Sequence, residues 1–282
     1  MAYLHEQFLA MLAEDPRVRA DRADAVHKMR VSTRRMRSAL ASYQRVLAPE
    51  PARAVRNELK WLAGVLGAAR DAQVMRARLH ALVGAQPAEL VLGPVLQGID
   101  EALLDDYRTA HTAVAGVLDG NRYRRLLEQL EAVVISPGFT AAAAAPAAET
   151  AGRMLRRDRR RLHEQVREAR SARSEADRAE SLHEARKDAK RLRYAAEVAQ
   201  PVRADGAAEL IGAAEHVQKI LGEHQDSVVS REYLLRLAAA AVSGRNGFSY
   251  GRMHALEEER GEAARRQFYE AWAQFPRVGR RG

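Results

Sequence analysis

Two segments of this chain repeat one another, and both are basic in the same pattern. The first reads His27-Lys28-Met29-Arg30-Val31-Ser32-Thr33-Arg34-Arg35-Met36-Arg37. The second reads His183-Glu184-Ala185-Arg186-Lys187-Asp188-Ala189-Lys190-Arg191-Leu192-Arg193, 156 residues further on. A helix turns about 100° per residue, so Arg30, Arg34 and Arg37 fall at roughly 300°, 340° and 280° from His27. These four side chains share an arc of about 80°. Val26, Met29, Thr33, Met36 and Leu40 make an apolar stripe beside them. Leu182, Ala185, Ala189, Leu192 and Ala196 do the same in the second copy. A cationic stripe that borders a buried stripe lies at the edge of a groove between helices, not on the far solvent face. Like charges at i,i+3 and i,i+4 repel by about 0.2–0.5 kcal/mol per pair. Each stripe therefore weakens a bare helix, and an anionic partner would offset that cost.

A second signature is also repeated. Leu66-Gly67-Ala68-Ala69-Arg70-Asp71-Ala72-Gln73-Val74 matches Leu221-Gly222-Glu223-His224-Gln225-Asp226-Ser227-Val228-Val229, at an offset of 155. Two motif pairs at nearly one offset predict a single domain over 1–282, built from two related halves at about 1–140 and 145–282. Gly67 and Gly222 read as sites of close helix–helix approach, or as bends. Asp71 and Asp226 read as partners for an Arg of the basic helix, or equally as local or solvent-facing carboxylates.

The rest of the sequence is helical in character. Hydrophobic residues are 47% and charged residues 29%, while aromatics are only 5%. Ala and Leu are abundant and β-branched residues rarely cluster, so an all-α fold of two pseudo-symmetric antiparallel bundles is predicted. Helices are expected at 2–14, 22–47, 52–84, 95–118, 121–134, 149–171, 175–199, 203–239 and 249–275. Asp15-Pro16, Pro49, Pro51, Pro87, Gly93-Pro94, Gly120 and Ser136-Pro137-Gly138 supply the breaks. The alanine-rich stretch 139–150 is either the junction of the halves or a helix interrupted at Pro146. A loop is expected at 243–248.

Net charge is +9, with a pI near 10.1. That balance calls for polyanionic partners such as nucleic acid, polyphosphate, acidic lipid or an acidic protein. Cysteine is absent, which removes disulfide and thiolate chemistry and fits a cytoplasmic protein. No apolar run approaches the roughly 18 residues of a membrane span, and the N-terminal segment lacks the pattern of a signal peptide.

Taken together, the doubled His-x-x-Arg-x-x-x-Arg/Lys-Arg-x-Arg and Leu-Gly-x-x-Arg/Gln-Asp-x-x-Val patterns resemble the CHAD family, the conserved histidine α-helical domains. The resemblance covers essentially the whole chain. It implies basic helices lining a central groove, binding of inorganic polyphosphate, and association with polyphosphate granules and their proteins. Carried over by motif, the polyphosphate-binding residues are His27, Arg30, Arg34 and Arg37 in the first half. In the second they are His183, Arg186, Lys190 and Arg193. The N-terminal Glu-x-Glu-x-Lys strand of a fused triphosphatase-type domain is not seen, so a stand-alone binding domain is expected.

Further cations extend this set. Lys28, Arg35, Lys187 and Arg191 flank the two stripes as secondary contacts. The helix expected at 149–171 is rich in Arg, unlike its counterpart at 2–14. There Arg153, Arg157 and Arg160 share one face and are candidate extra contacts, or a solvated basic face. Arg offers a planar fork of donors matched to phosphate oxygens, and Lys a compact charge. His27 and His183 admit three readings: a donor to phosphate, a metal ligand, or a filler at the edge of the core. No metal site, cofactor or catalytic constellation is expected, and Glu257, Glu258 and Glu259 read as a solvated acidic face. A non-specific nucleic-acid-binding protein and a helical adaptor for an acidic protein are the rival readings.

Overall fold

The computed structural model describes residues 1–240 and 246–276. The chain forms nine α-helices among these residues. They are α1 (Ala2–Arg19), α2 (Ala25–Ser42), α3 (Pro49–Gly84), α4 (Val95–Asp119), α5 (Asn121–Ile135), α6 (Ala147–Ser171), α7 (Glu175–Ala199), α8 (Ala204–Ala240) and α9 (Gly247–Ala273). Short 3-10 turns occupy Ala88–Leu90 and Ala141–Ala144. The one β-type contact among the described residues is an isolated antiparallel bridge between Leu47 and Phe139. Within the alanine-rich stretch, α6 begins just past Pro146, the residue at its N-cap, so no helix runs through that proline. The expected loop at 243–248 lies largely outside the described residues.

Several boundaries differ from those read off the sequence. Helix α1 runs through Pro16 to Arg19. Its last turn is held from outside: Val18 is fully buried and its carbonyl meets His111, while Arg19 reaches Asp119 and the Leu118 carbonyl of α4. These contacts outweigh the one backbone hydrogen bond that proline removes. Helix α2 starts at Ala25 because Asp21 and Asp24 take left-handed backbone angles, with φ of 47° and 59°. It stops at Ser42 because that residue is drawn to α6: Ser42 Oγ donates to Asp158 Oδ2 at 2.6 Å, and its carbonyl accepts from Arg157 at 2.9 Å.

Three apolar clusters hold the molecule. One joins α1 to α5, with Met11, Met29, Met36, Leu59, Leu62 and Tyr123 deeply buried. A second joins α6 to α9 and ends on the rings of Phe268, Trp272 and Phe275. The third joins the early helices to the last two: Met75, Leu79, Leu82, Ile99 and Leu103 of α3 and α4 pack on Tyr233, Leu234, Tyr250 and Met253 of α8 and α9.

Beside this third cluster sits an ion-pair network. Arg78 of α3 contacts Glu257 of α9 at 2.5 Å and Glu223 of α8 at 2.7 Å. The Glu257 side chain is fully buried and also accepts from Ser230 Oγ at 2.7 Å. This corrects the sequence expectation for the acidic run, in which only Glu258 and Glu259 are exposed. Close approach of α8 and α9 makes room for the network. A Cβ on Gly261 would lie 2.5 Å from Ser227 Oγ, which donates to the Glu257 carbonyl. Gly261→Ala is therefore expected to cost about 1–3 kcal/mol by overpacking, a loss that thermal denaturation would register.

Candidate polyanion-binding site

The two basic helices α2 and α7 pack against each other. Tyr43 Oη donates to the Ala195 carbonyl at 3.1 Å, tying the end of α2 to α7. The apolar stripes predicted beside the motifs are buried: Val26, Met29, Thr33, Met36 and Leu40 on α2, and Leu182, Ala185, Ala189, Leu192 and Ala196 on α7. Each motif cation is consequently held at the margin of a packed face. His27, Arg30, Arg34, Arg37, His183, Arg186, Lys190 and Arg193 are all half-buried.

The packing brings cations of both motifs to one place. Lys190 sits at the centre. Burial, then the charges of Arg34, Arg186, Arg30 and Arg193, push its pKa down to about 6. Burial likewise lowers the pKa of Arg34, aggravated by Arg30 and Arg193. It lowers that of Arg37 too, with Arg34, Arg191 and Arg56 adding to the effect. The Nε groups of Arg30, Arg34, Arg186 and Arg193 are buried without a hydrogen-bond partner. Buried donors of this kind are rare in finished cores, because each forfeits its hydration. Here they are grouped around one point.

Carboxylates hold the cluster at its margins. Arg30 lies 3.4 Å from Asp71 and Arg186 lies 3.9 Å from Asp226, the same pairing in each half. Glu197 spans both halves: it accepts from Tyr3 Oη at 2.9 Å and lies 3.5 Å from Arg35 and 3.7 Å from Arg193. Arg193 also reaches Glu215 at 2.7 Å. Gly67 and Gly222 do not mark close backbone contact, contrary to one sequence reading. What faces them is a guanidinium: a Cβ on Gly67 would meet Arg30 at 3.7 Å, and one on Gly222 would meet Arg186 at 3.3 Å. Gly67→Ala is expected to be tolerated, gaining up to about 1 kcal/mol of helix propensity. Gly222→Ala must displace Arg186 and is expected to weaken anion binding. Titrating the two variants side by side checks that contrast.

A CHAD domain profile matches residues 2–235. The chain belongs to the CHAD family. That family is associated with polyphosphate and triphosphate binding. Two uncharacterized proteins of Mycobacterium tuberculosis, MT2285 and Rv2226, are each 37% identical over 283 residues, covering 98% of this chain and 53% of theirs. The chain thus spans about half the length of the curated relatives it matches. Among solved structures, the CHAD domain of the plant Ricinus communis superposes with a TM-score of 0.71 and 26% identity, covering 95% of this chain and 89% of that one. PptA from Streptomyces chartreusis has the same fold, with a TM-score of 0.75, 20% identity and 96% coverage of both chains.

The secondary CHAD candidates divide into several groups. Arg35 and Arg191 lie at the cluster margin on Glu197 and Asp188, at 3.5 and 3.6 Å. Lys28 is exposed, and Lys187 is exposed and paired with Glu184 at 2.5 Å. On α6 the expected face of Arg153, Arg157 and Arg160 is not used as a unit. Arg153 pairs with Glu149, Arg157 is bound to the α2 terminus, and Arg160 stays exposed.

Sequence reading missed the fifth position of the second signature. Arg70 is near enough to His27 that its charge, after burial, lowers the imidazole pKa. Gln225, the matching residue, hydrogen-bonds to His183, whose pKa is lowered by burial and then by Lys187. The repeat Leu-Gly-x-x-Arg/Gln carried that signal. Among the described residues no group of three or more His, Asp or Glu is arranged to hold a metal.

Proposed function

We propose that the cationic cluster between α2 and α7 is the floor of a groove that binds inorganic polyphosphate, without a catalytic step, and that this binding recruits the protein to polyphosphate granules. One observation carries the reading: Arg30, Arg34, Arg186 and Arg193 crowd Lys190, with guanidinium Nε groups buried and unbonded. Such a set is electrostatically unfavourable alone and becomes favourable when phosphate oxygens fill it. Chains of phosphate present one repeating anion and no base edges, and the cluster offers charge and donors without stacking platforms. Tyr43 and Tyr194, the aromatics nearest the motifs, are committed to packing: Tyr194 is buried and Tyr43 is bonded to α7. That disfavours single-stranded nucleic acid, which relies on exposed rings.

The test is a titration with long-chain polyphosphate at fixed salt, with duplex and single-stranded DNA as competitors. Arg30→Ala/Arg34→Ala and Arg186→Ala/Lys190→Ala are each expected to weaken binding at least about 100-fold, since two charge-assisted contacts are worth about 3–6 kcal/mol. Equal competition by DNA, or wild-type affinity in either double variant, would sink the proposal.

A further inference from the structure

Arg161 of α6 and Arg191 of α7 share one carboxylate. They lie 3.7 and 3.6 Å from the same oxygen of Asp188. This joins α6 to the margin of the cluster, where Arg37 of α2 also feels the charge of Arg191. About 100° around α6 from Arg161, the outer face of the helix carries Arg156, Arg160, His163, Arg167 and Arg170, all exposed. On a helix these five fall within an arc of about 80° and extend along about 21 Å. No Asp or Glu enters that arc between 156 and 170. Arg170 rests on the Tyr269 ring at 5.4 Å, and His163 meets Trp272 edge-on at 4.7 Å. Arg156, Arg160 and Arg167 make no hydrogen bond or ion pair among the described residues.

Carboxylates of α3 and α8 also border the cluster. Asp71 and Asp226 pair with Arg30 and Arg186, and they are close enough together that Asp71 adds to the rise that burial causes in the Asp226 pKa. Glu223 stands beside them and adds to it as well.

We propose that α6 is an external track. A linear phosphate polyanion held in the cluster leaves it past Arg161 and continues along the stripe of Arg156, Arg160 and Arg167. This rests on the polyphosphate reading above and adds to it a direction of exit and a second set of contacts. Affinity then keeps rising with chain length after the cluster itself is filled.

The test compares wild type with Arg156→Gln/Arg160→Gln/Arg167→Gln on a short and a long polyphosphate, over a range of salt. The short chain is expected to bind both proteins alike, which also shows that the variant is folded. On the long chain the variant is expected to lose about 10- to 100-fold in affinity at 0.15 M salt, and its salt slope to fall by about 2. If the long chain binds the variant as tightly as wild type, the track is refuted and the cluster reading stands. If wild type binds neither chain, the cluster reading fails and the track with it. If the variant loses duplex DNA but keeps long polyphosphate, the α6 face belongs to nucleic acid and the track is again refuted.

Discussion

Arg78→Ala is expected to lower the stability of the folded chain by about 3–5 kcal/mol, the range for removing one partner of a buried ion pair. For a protein of this size that corresponds to a fall in Tm on the order of 10 °C. The cost comes from what is left behind. Glu257 has no exposed side-chain surface, and without Arg78 it retains only Arg260, at 3.0 Å on the solvent side, and the Ser230 hydroxyl. Burial would lower the pKa of Arg78, but the hydrogen bonds it donates to Glu223 and Glu257 outweigh that and hold it above its usual value, so the guanidinium stays charged across the ordinary pH range. Arg78→Met/Glu257→Leu removes both buried charges and is expected to recover most of the loss. Glu258→Ala and Glu259→Ala, at the next two positions and facing solvent, are expected to stay within about 0.5 kcal/mol of wild type. A thermal melt of the four variants checks the ranking. A drop of less than 1 kcal/mol for Arg78→Ala would mean that water reaches Glu257.

Polyphosphate affinity is expected to fall as pH rises from about 6 to 8, by up to about tenfold per pH unit, the limit for one linked proton. The sign follows from Lys190. Its pKa in the empty cluster is about 6, so above that pH it is neutral. The groups that face it, Arg30 and Arg34 from α2 and Arg186 and Arg193 from its own helix, are cations that oppose protonation. A bound polyanion reverses the local field and restores the proton, so binding takes up a proton above pH 6. His27 and His183, both lowered by burial, add uptake at the acid end of this range. Lys190→Met is expected to flatten the profile. It has an opposite signature in stability. Unfolded, Lys190 titrates near the ordinary lysine value of 10.5. Between that value and about 6 the unfolded chain holds more protons, so the stability of the empty protein rises with pH. Lys190→Met removes that slope and stabilises the empty protein at neutral pH while weakening binding. Identical pH profiles for wild type and variant, in both measurements, would refute a buried neutral lysine.

How much of this was legible in the sequence varies with the kind of question. The all-helical class and the placement of α3 to α9 followed from composition and from Pro and Gly breaks. The motif cations are half-buried beside their apolar stripes, as helical spacing required, because that spacing fixes which residues share a face. Ends set by tertiary contacts were not legible: α1 passes Pro16 because α4 grips its last turn, and α2 ends early because Ser42 bonds to α6. Nor was the inward turn of Glu257. Within a run of three glutamates, sequence alone does not say which one faces Arg78. The use of Arg157 as a tie between halves was hidden for the same reason. Periodicity assigns a face, but not what lies opposite it.

The family match ends at residue 235, inside α8, yet α9 supplies Tyr250, Met253, Phe268 and Trp272 to two of the three apolar clusters. The stretch the family profile covers is therefore shorter than the unit that must fold here, and the relatives, which align over 98% of this chain, extend through α9 as well. A chain cut at the family boundary would leave one flank of α8 bare along its length. It would also strand Arg78 without its buried partner. Fragments of this protein made for binding work should run past Phe275.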